Sequence, residues 1–420
     1  RVIELYLQKK SENGGWERQI NGISNNEKAV LLLEKRTFKE LLVDMELRNL
    51  QNNIVGQEAS RLFARAEINM GVEAFRDSLY SLLKRNTFLN IKFENMLDTL
   101  GEISRTDIRS LLGEWEKTTP LPFYSLGEPT LTKITNKGGE EFFVLKMLIS
   151  NNSDYDGIIH MDIRKDGWWY QPLEDPRAKT KIEMPAHTSK EFVSVWEDQI
   201  RNVEINTMVS GNLPNIISQD INNVKQERNK IVKDSIYILP ESSFDLPGEI
   251  IVDNEDSTLF ILSAPPIVGL LPKWLDEVEE TPFKYSGISW WRPPLQWTAT
   301  TNDRYYGKYI RSAFVIKSGD GSQTATWKVP VPEVGQYDLY YHVFKDDELR
   351  WNNNLQGEYH FKVKYGSEVE DAYVNLRKAN EGWEQLGSYY FDSDTIRVVL
   401  TDECKLRSVT ADAVKIVKRY

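Results

Sequence analysis

All 17 prolines lie at or beyond Pro120, so the first 119 residues contain none. Proline removes a backbone donor and clashes with the preceding turn, and a long proline-free opening is what continuous helices need. Apolar residues there recur near helical period: Val30, Leu33, Leu41 and Met45, then Leu62, Ala66 and Met70, then Phe75, Leu79 and Leu82, then Phe93, Met96 and Leu100, then Ile108, Leu111 and Trp115. Ser24 and Glu27 have capping-box spacing at the head of the first run. Residues 1–119 are expected to be an all-α unit.

From Pro120 the period changes to two. Residues 142–148 and 158–163 alternate around the polar stretch 151–157, which predicts a β-hairpin, and residues 181–184, 191–195 and 202–205 add strands at sandwich spacing. Residues 120–212 should form a small β-sandwich, and 213–283, with its polar run and Pro265-Pro266, a linker with short strands. Aromatics crowd from residue 284: six of the 12 tryptophans and 13 of the 19 tyrosines lie there, in short β-rich runs with glycine turns. A second, larger β-sandwich, jelly-roll-like, is expected over 284–420. The fold class is thus multidomain, α plus all-β: a helical array, a small sandwich, a linker and a terminal sandwich.

Composition narrows the function. The net charge of -11 argues against a nucleic-acid partner, which needs a basic face, and no apolar run is long enough to span a bilayer. Cys404 is the only cysteine, so no intramolecular disulfide or Cys-rich metal site can form. His160, His187, His342 and His360 are never four apart, which removes the HExxH zinc helix. The G-x-S-x-G elbow and the P-loop are also missing, leaving a triad drawn from distant residues as the remaining hydrolytic arrangement. Asn152, Asp154, Asp156 and Gly157 imitate the start of a calcium loop, but Ile163 stands where the bidentate Glu belongs, and the stretch reads as a turn. No catalytic residue, metal ligand or cofactor is therefore assigned to this chain.

The aromatic residues of the last region have two readings. Trp290, Trp291, Trp297, Tyr305, Tyr306, Tyr309, Trp351 and Trp383 either fill a sandwich core or present rings on which sugars stack while amides bond the hydroxyls. Trp351 followed by Asn352, Asn353 and Asn354 is the best local group for a glycan.

Two resemblances sharpen these expectations. Residues 67–79, 92–100 and 107–115 with Pro120-Leu121-Pro122 resemble the closing helices of M1-type zinc aminopeptidases, which lead into a small β-sandwich. The resemblance implies that the zinc helix and its support lie upstream of Arg1. Aligned on Gly71, the family's Y-x-K-G stretch falls on Gly56-Gln57-Glu58-Ala59, without its Tyr or Lys-Gly. Residues 306–313, 325–332, 335–337, 382–391 and 411–415 resemble the carbohydrate-binding-module-like domain of golvesin-type and xanthan-lyase-type proteins. Together they imply a non-catalytic C-terminal portion of a larger extracytoplasmic protein, periplasmic or on the cell surface, with a terminal glycan-binding module. The alternatives are the C-terminal half of an active zinc aminopeptidase and an envelope interaction scaffold. A polysaccharide or an envelope protein is the expected partner.

Overall fold

The structure is a computed structural model describing residues 15–87, 89, 91–105, 107–110, 117–136, 138–165, 171–228, 232–240, 244, 248–263, 283–288, 292–345 and 357–419. The described residues form two compact units, one within 25–244 and the other made of 15–24 with 248–419. The described helices are α1 (Gly15–Asn21), α2 (Asn25–Lys35), α3 (Phe38–Val43), α4 (Gln51–Met70), α5 (Val72–Arg85) and α6 (Phe93–Ser104). None is long and apolar enough to cross a membrane.

In the first unit, α2 to α6 follow the apolar stripes. Leu33, Leu41 and Ile54 close one helical cluster, and Leu62, Phe63, Phe75, Leu82, Met96 and Leu100 another. Thr37 and Glu40 make a reciprocal capping box at α3. Gly71, at φ +81°, breaks α4 from α5 in a conformation that side-chain-bearing residues rarely adopt.

The helices are not independent of the sandwich. Ala64 of α4 packs with Ile158 and Met208, Val30 of α2 packs with Leu121 and Val209, and Lys181 pairs with Glu67. Helices α2 to α6 and the strands that follow them therefore share one unit, because the inner face of α4 is covered by strand residues, whereas α1 belongs to the second unit. Val43, Met45, Val72 and Tyr80 of this unit remain exposed.

The strands of this unit are β1 (Tyr124–Leu126), β2 (Thr130–Thr135), β3 (Glu141–Asn151), β4 (Gly157–Lys165), β5 (Gln171–Pro172), β6 (Lys179–Met184), β7 (Thr188–Trp196), β8 (Ile200–Asn206), β9 (Ile216–Asp220), β10 (Val224–Arg228) and β11 (Ser235–Pro240). One sheet runs β10-β2-β3-β7-β11 with β1 on β3, and the other runs β5-β4-β8-β9 with β6 on β4. Leu145, Met147 and Ile149 of the first meet Ile159, Met161, Ile163 and Ile205 of the second in one core. The expected hairpin of β3 with β4 is thus corrected: their connection crosses from one sheet to the other, and each strand finds its partners within its own sheet.

The second unit contains β12 (Glu249–Val252), β13 (Phe260–Ser263), β14 (Thr298–Thr301), β15 (Ser312–Lys317), β16 (Thr324–Pro330), β17 (Gly335–Val343), β18 (Glu358–Tyr365), β19 (Glu368–Asn375), β20 (Gly382–Phe391), β21 (Thr395–Thr401), β22 (Ser408–Ala411) and β23 (Val414–Lys418). They form sheets ordered β12-β23-β17-β20, β13-β16-β21-β18-β19 and β14-β15-β22. All three contribute to a single core around Trp327, Tyr341, Phe361, Phe391, Leu400 and Ile416. The stretch 213–283 is not a free linker where it is described. Strands β9 to β11 complete the first unit's sheets, while Val252 and Phe260 enter the second unit's core. Its short strands bury few apolar residues each, which is why their sequence reads as loop.

Candidate functional site

Trp351, Asn352, Asn353 and Asn354 lie outside the described residues, as do Trp290 and Trp291. The remaining aromatic residues divide sharply. Trp327 and Tyr305 are buried, and Trp297 is partly buried against the core. Tyr306 and Trp383 instead come together on the solvent side of the β12-β23-β17-β20 sheet.

The strand pattern explains this. Along β17, Tyr337, Leu339, Tyr341 and Val343 are buried, so Gln336, Asp338, Tyr340 and His342 point outward. On β20, Tyr389 and Phe391 face the core, and strict alternation would turn Trp383 inward too. A β-bulge shifts the β17–β20 register between Leu339 and Tyr340 and reverses the parity. Trp383 then lies opposite outward His342, Gln385 opposite Tyr340, and Leu386 packs on the core. Alternation along β20 alone therefore misplaces Trp383, because the bulge depends on pairing with β17.

The resulting face is aromatic and fixed from behind. The Trp383 ring centroid is 5.0 Å from Tyr306 and 5.1 Å from His342, both steeply tilted, as ring quadrupoles favour. His342 Nδ1 lies 2.9 Å from Asp412 Oδ2. The Asp412 carboxylate is fully buried and also accepts the Tyr306 backbone N–H at 3.1 Å, so one acid orients both rings. Lys415 Nζ stands 4.9 Å from the Trp383 centroid and 5.4 Å from that of Tyr340, within cation–π range, and is held by Glu249 at 2.9 Å. Farther along the face, Gln385 donates to Asp338 at 3.1 Å, Ser388 also bonds Asp338, and Arg419 pairs with it at 3.1 Å.

Burial pushes the Asp412 carboxyl above its usual range, with His342 opposing. Asp253 is also raised, by burial first and then by the charge of Asp412. Among the described residues, His342 makes no hydrogen bond to a Ser or Thr hydroxyl or to a thiol, as a nucleophile–base pair would require. Burial pushes the Cys404 thiol up, away from the reactive thiolate. In the other unit, the calcium-like residues have separate partners: Asn152 bonds Ser125, Asp154 bonds His187, and Asp156 accepts the Ala186 N–H.

Comparisons with known proteins bear on the second unit. No curated protein matches the sequence. Among solved structures, xanthan lyase from Paenibacillus is similar at 16% identity over 72% of this chain and 27% of that chain, with a TM-score of 0.29. Aminopeptidase A from Legionella pneumophila, solved with aspartic acid, is similar at 15% identity over 44% of this chain and 19% of that one, with a TM-score of 0.21. A β-glucuronidase from Bacteroides uniformis is similar at 10% identity over 76% of this chain and 32% of that one, also with a TM-score of 0.21. The chain spans less than a third of the length of the lyase and the aminopeptidase. Residues 293–418 match the golvesin C-terminal domain, so the C-terminal module, which carries the Trp383 face, is golvesin-like.

Proposed function

We propose that this chain is a non-catalytic portion of a larger extracytoplasmic protein and that its golvesin-like module binds a polysaccharide. The observation that carries the reading is the Trp383 face: rings held by a buried carboxylate beside amide, hydroxyl and carboxylate groups. Sugars meet such surfaces with C–H faces on the rings and hydroxyls on the polar neighbours. Trp351, Asn352, Asn353 and Asn354 are proposed as further contacts. The helices and first sandwich, through the resemblance of residues 67–79, 92–100 and 107–115 to the closing helices of M1-type zinc aminopeptidases, would correspond to the segment that follows that family's catalytic part. They would support and present the module.

A stacked ring and two or three hydrogen bonds leave only a few kcal/mol after desolvation, so affinity should lie at about millimolar to high micromolar Kd. The test is a polysaccharide array followed by calorimetric titration on the full chain, with Trp383→Ala and Trp351→Ala. We expect binding that either substitution weakens at least ten-fold. Absence of binding to every polysaccharide, or binding that neither substitution alters, would favour an envelope protein-interaction scaffold instead.

A further inference from the structure

The first unit contains a cavity of about 270 Å³ that the glycan reading does not use. Arg61 and Arg65, one turn apart on α4, line one side, and Tyr155 and Asp156, in the connection from β3 to β4, line another. Pro120, Pro122, Ile158, Met208 and Val209 supply an apolar wall. Arg61 is neutralised by Glu58 at 2.8 Å. Arg65 is half-buried, yet among the described residues it makes no hydrogen bond and has no carboxylate within ion-pair distance. Burial and the neighbouring Arg61 both act against its charge, while Asp156, Glu183 and Glu58 act in its favour only from a distance.

We infer that this cavity is a binding site for a small hydroxylated monocarboxylate, such as a hydroxy acid or sugar acid, whose carboxylate bonds Arg65 and Arg61. Guanidinium groups match a carboxylate's two oxygens and are weakly hydrated, which suits a partly enclosed site. Asp156 selects within the anions: its carboxylate repels a dianion such as phosphate and accepts from a ligand hydroxyl. Tyr155 and the apolar wall cover the carbon body. The volume is slightly below the roughly 300–1,000 Å³ typical of small-molecule pockets, which points to a ligand of about one sugar ring.

The test is calorimetric titration of the full chain with D-glucuronate, D-glucose and inorganic phosphate at constant ionic strength, alongside thermal shifts. Glucuronate should bind, glucose should not, and phosphate should bind at least ten-fold more weakly. Arg65→Gln should weaken glucuronate at least ten-fold while leaving the ligand-free melting temperature unchanged or higher, because an unneutralised cation has been removed. A merely structural arginine would lower it. Asp156→Asn keeps an amide oxygen for the Ala186 N–H but removes the charge, so phosphate affinity should rise at least five-fold. Trp383→Ala should leave glucuronate binding intact, which separates this site from the glycan face. No glucuronate binding at 20 mM, phosphate equal to or tighter than glucuronate, or Arg65→Gln either binding like the parent or destabilising the free protein would each overturn the assignment.

Discussion

Replacing Trp327 by Ala tests how the second unit is held together. Trp327 is 0% exposed on β16, with its ring 5.3 Å from Phe260 and 6.2 Å from Tyr341. Truncating a buried Trp costs about 3–5 kcal/mol in lost transfer and cavity terms. The indole N–H also donates to the Asp412 carbonyl at 3.2 Å, and stranding that buried acceptor adds about 1 kcal/mol. The sum, about 4–6 kcal/mol, corresponds to a fall on the order of 10–20 °C in melting temperature for a unit of this size. Trp383→Ala supplies the contrast, since it loses ring and cation contacts on a solvated face and should cost about 1–1.5 kcal/mol. Scanning calorimetry on the full chain would measure both, with hydrogen exchange locating the loss in β16 and β17. If Trp327→Ala cost no more than Trp383→Ala, the inward–outward assignment of these strands would be refuted.

Three further outcomes are expected. Folding raises the Asp253 carboxyl, so the native state binds more protons than the unfolded chain, and stability should fall as pH climbs above the ordinary carboxylate range. Asp253→Asn, whose amide oxygen can still accept the Asn254 N–H, should flatten that decline in melting curves between pH 4 and 7; a parallel profile would contradict it. Gly22 sits at φ +78°, and a Cβ there would lie 2.4 Å from the Ser286 backbone nitrogen, so Gly22→Ala should cost about 1–3 kcal/mol in strain alone, read by urea unfolding. Glu27 is 1% exposed and accepts the Asn215 N–H at 2.9 Å, so Glu27→Ala should destabilise the first unit by about 2–3 kcal/mol, whereas Glu27→Gln, which keeps an acceptor, should cost less in the same assay.

The sequence by itself determined what depends on neighbours along the chain. Freedom from proline and the stripes through Leu62, Phe75, Leu82, Met96 and Leu100 specify helices, because i, i+3 and i+4 spacing fixes one apolar face whatever covers it. Alternation along β17 likewise sends Tyr337, Leu339 and Tyr341 inward. Only tertiary structure decided the rest. Nothing local distinguishes a hairpin from a crossover between sheets, so β3 and β4 read as partners although they are not. The bulge beside Tyr340 is set by two strands pairing across more than forty residues, and it alone turns Trp383 outward to meet His342. The cavity beside Arg65 needs a helix, the segment before β1, the β3–β4 connection and residues 208–209 to converge. A linear reading records the arginines but not the space in front of them, because charge and period are properties of the chain, whereas enclosure belongs to the fold.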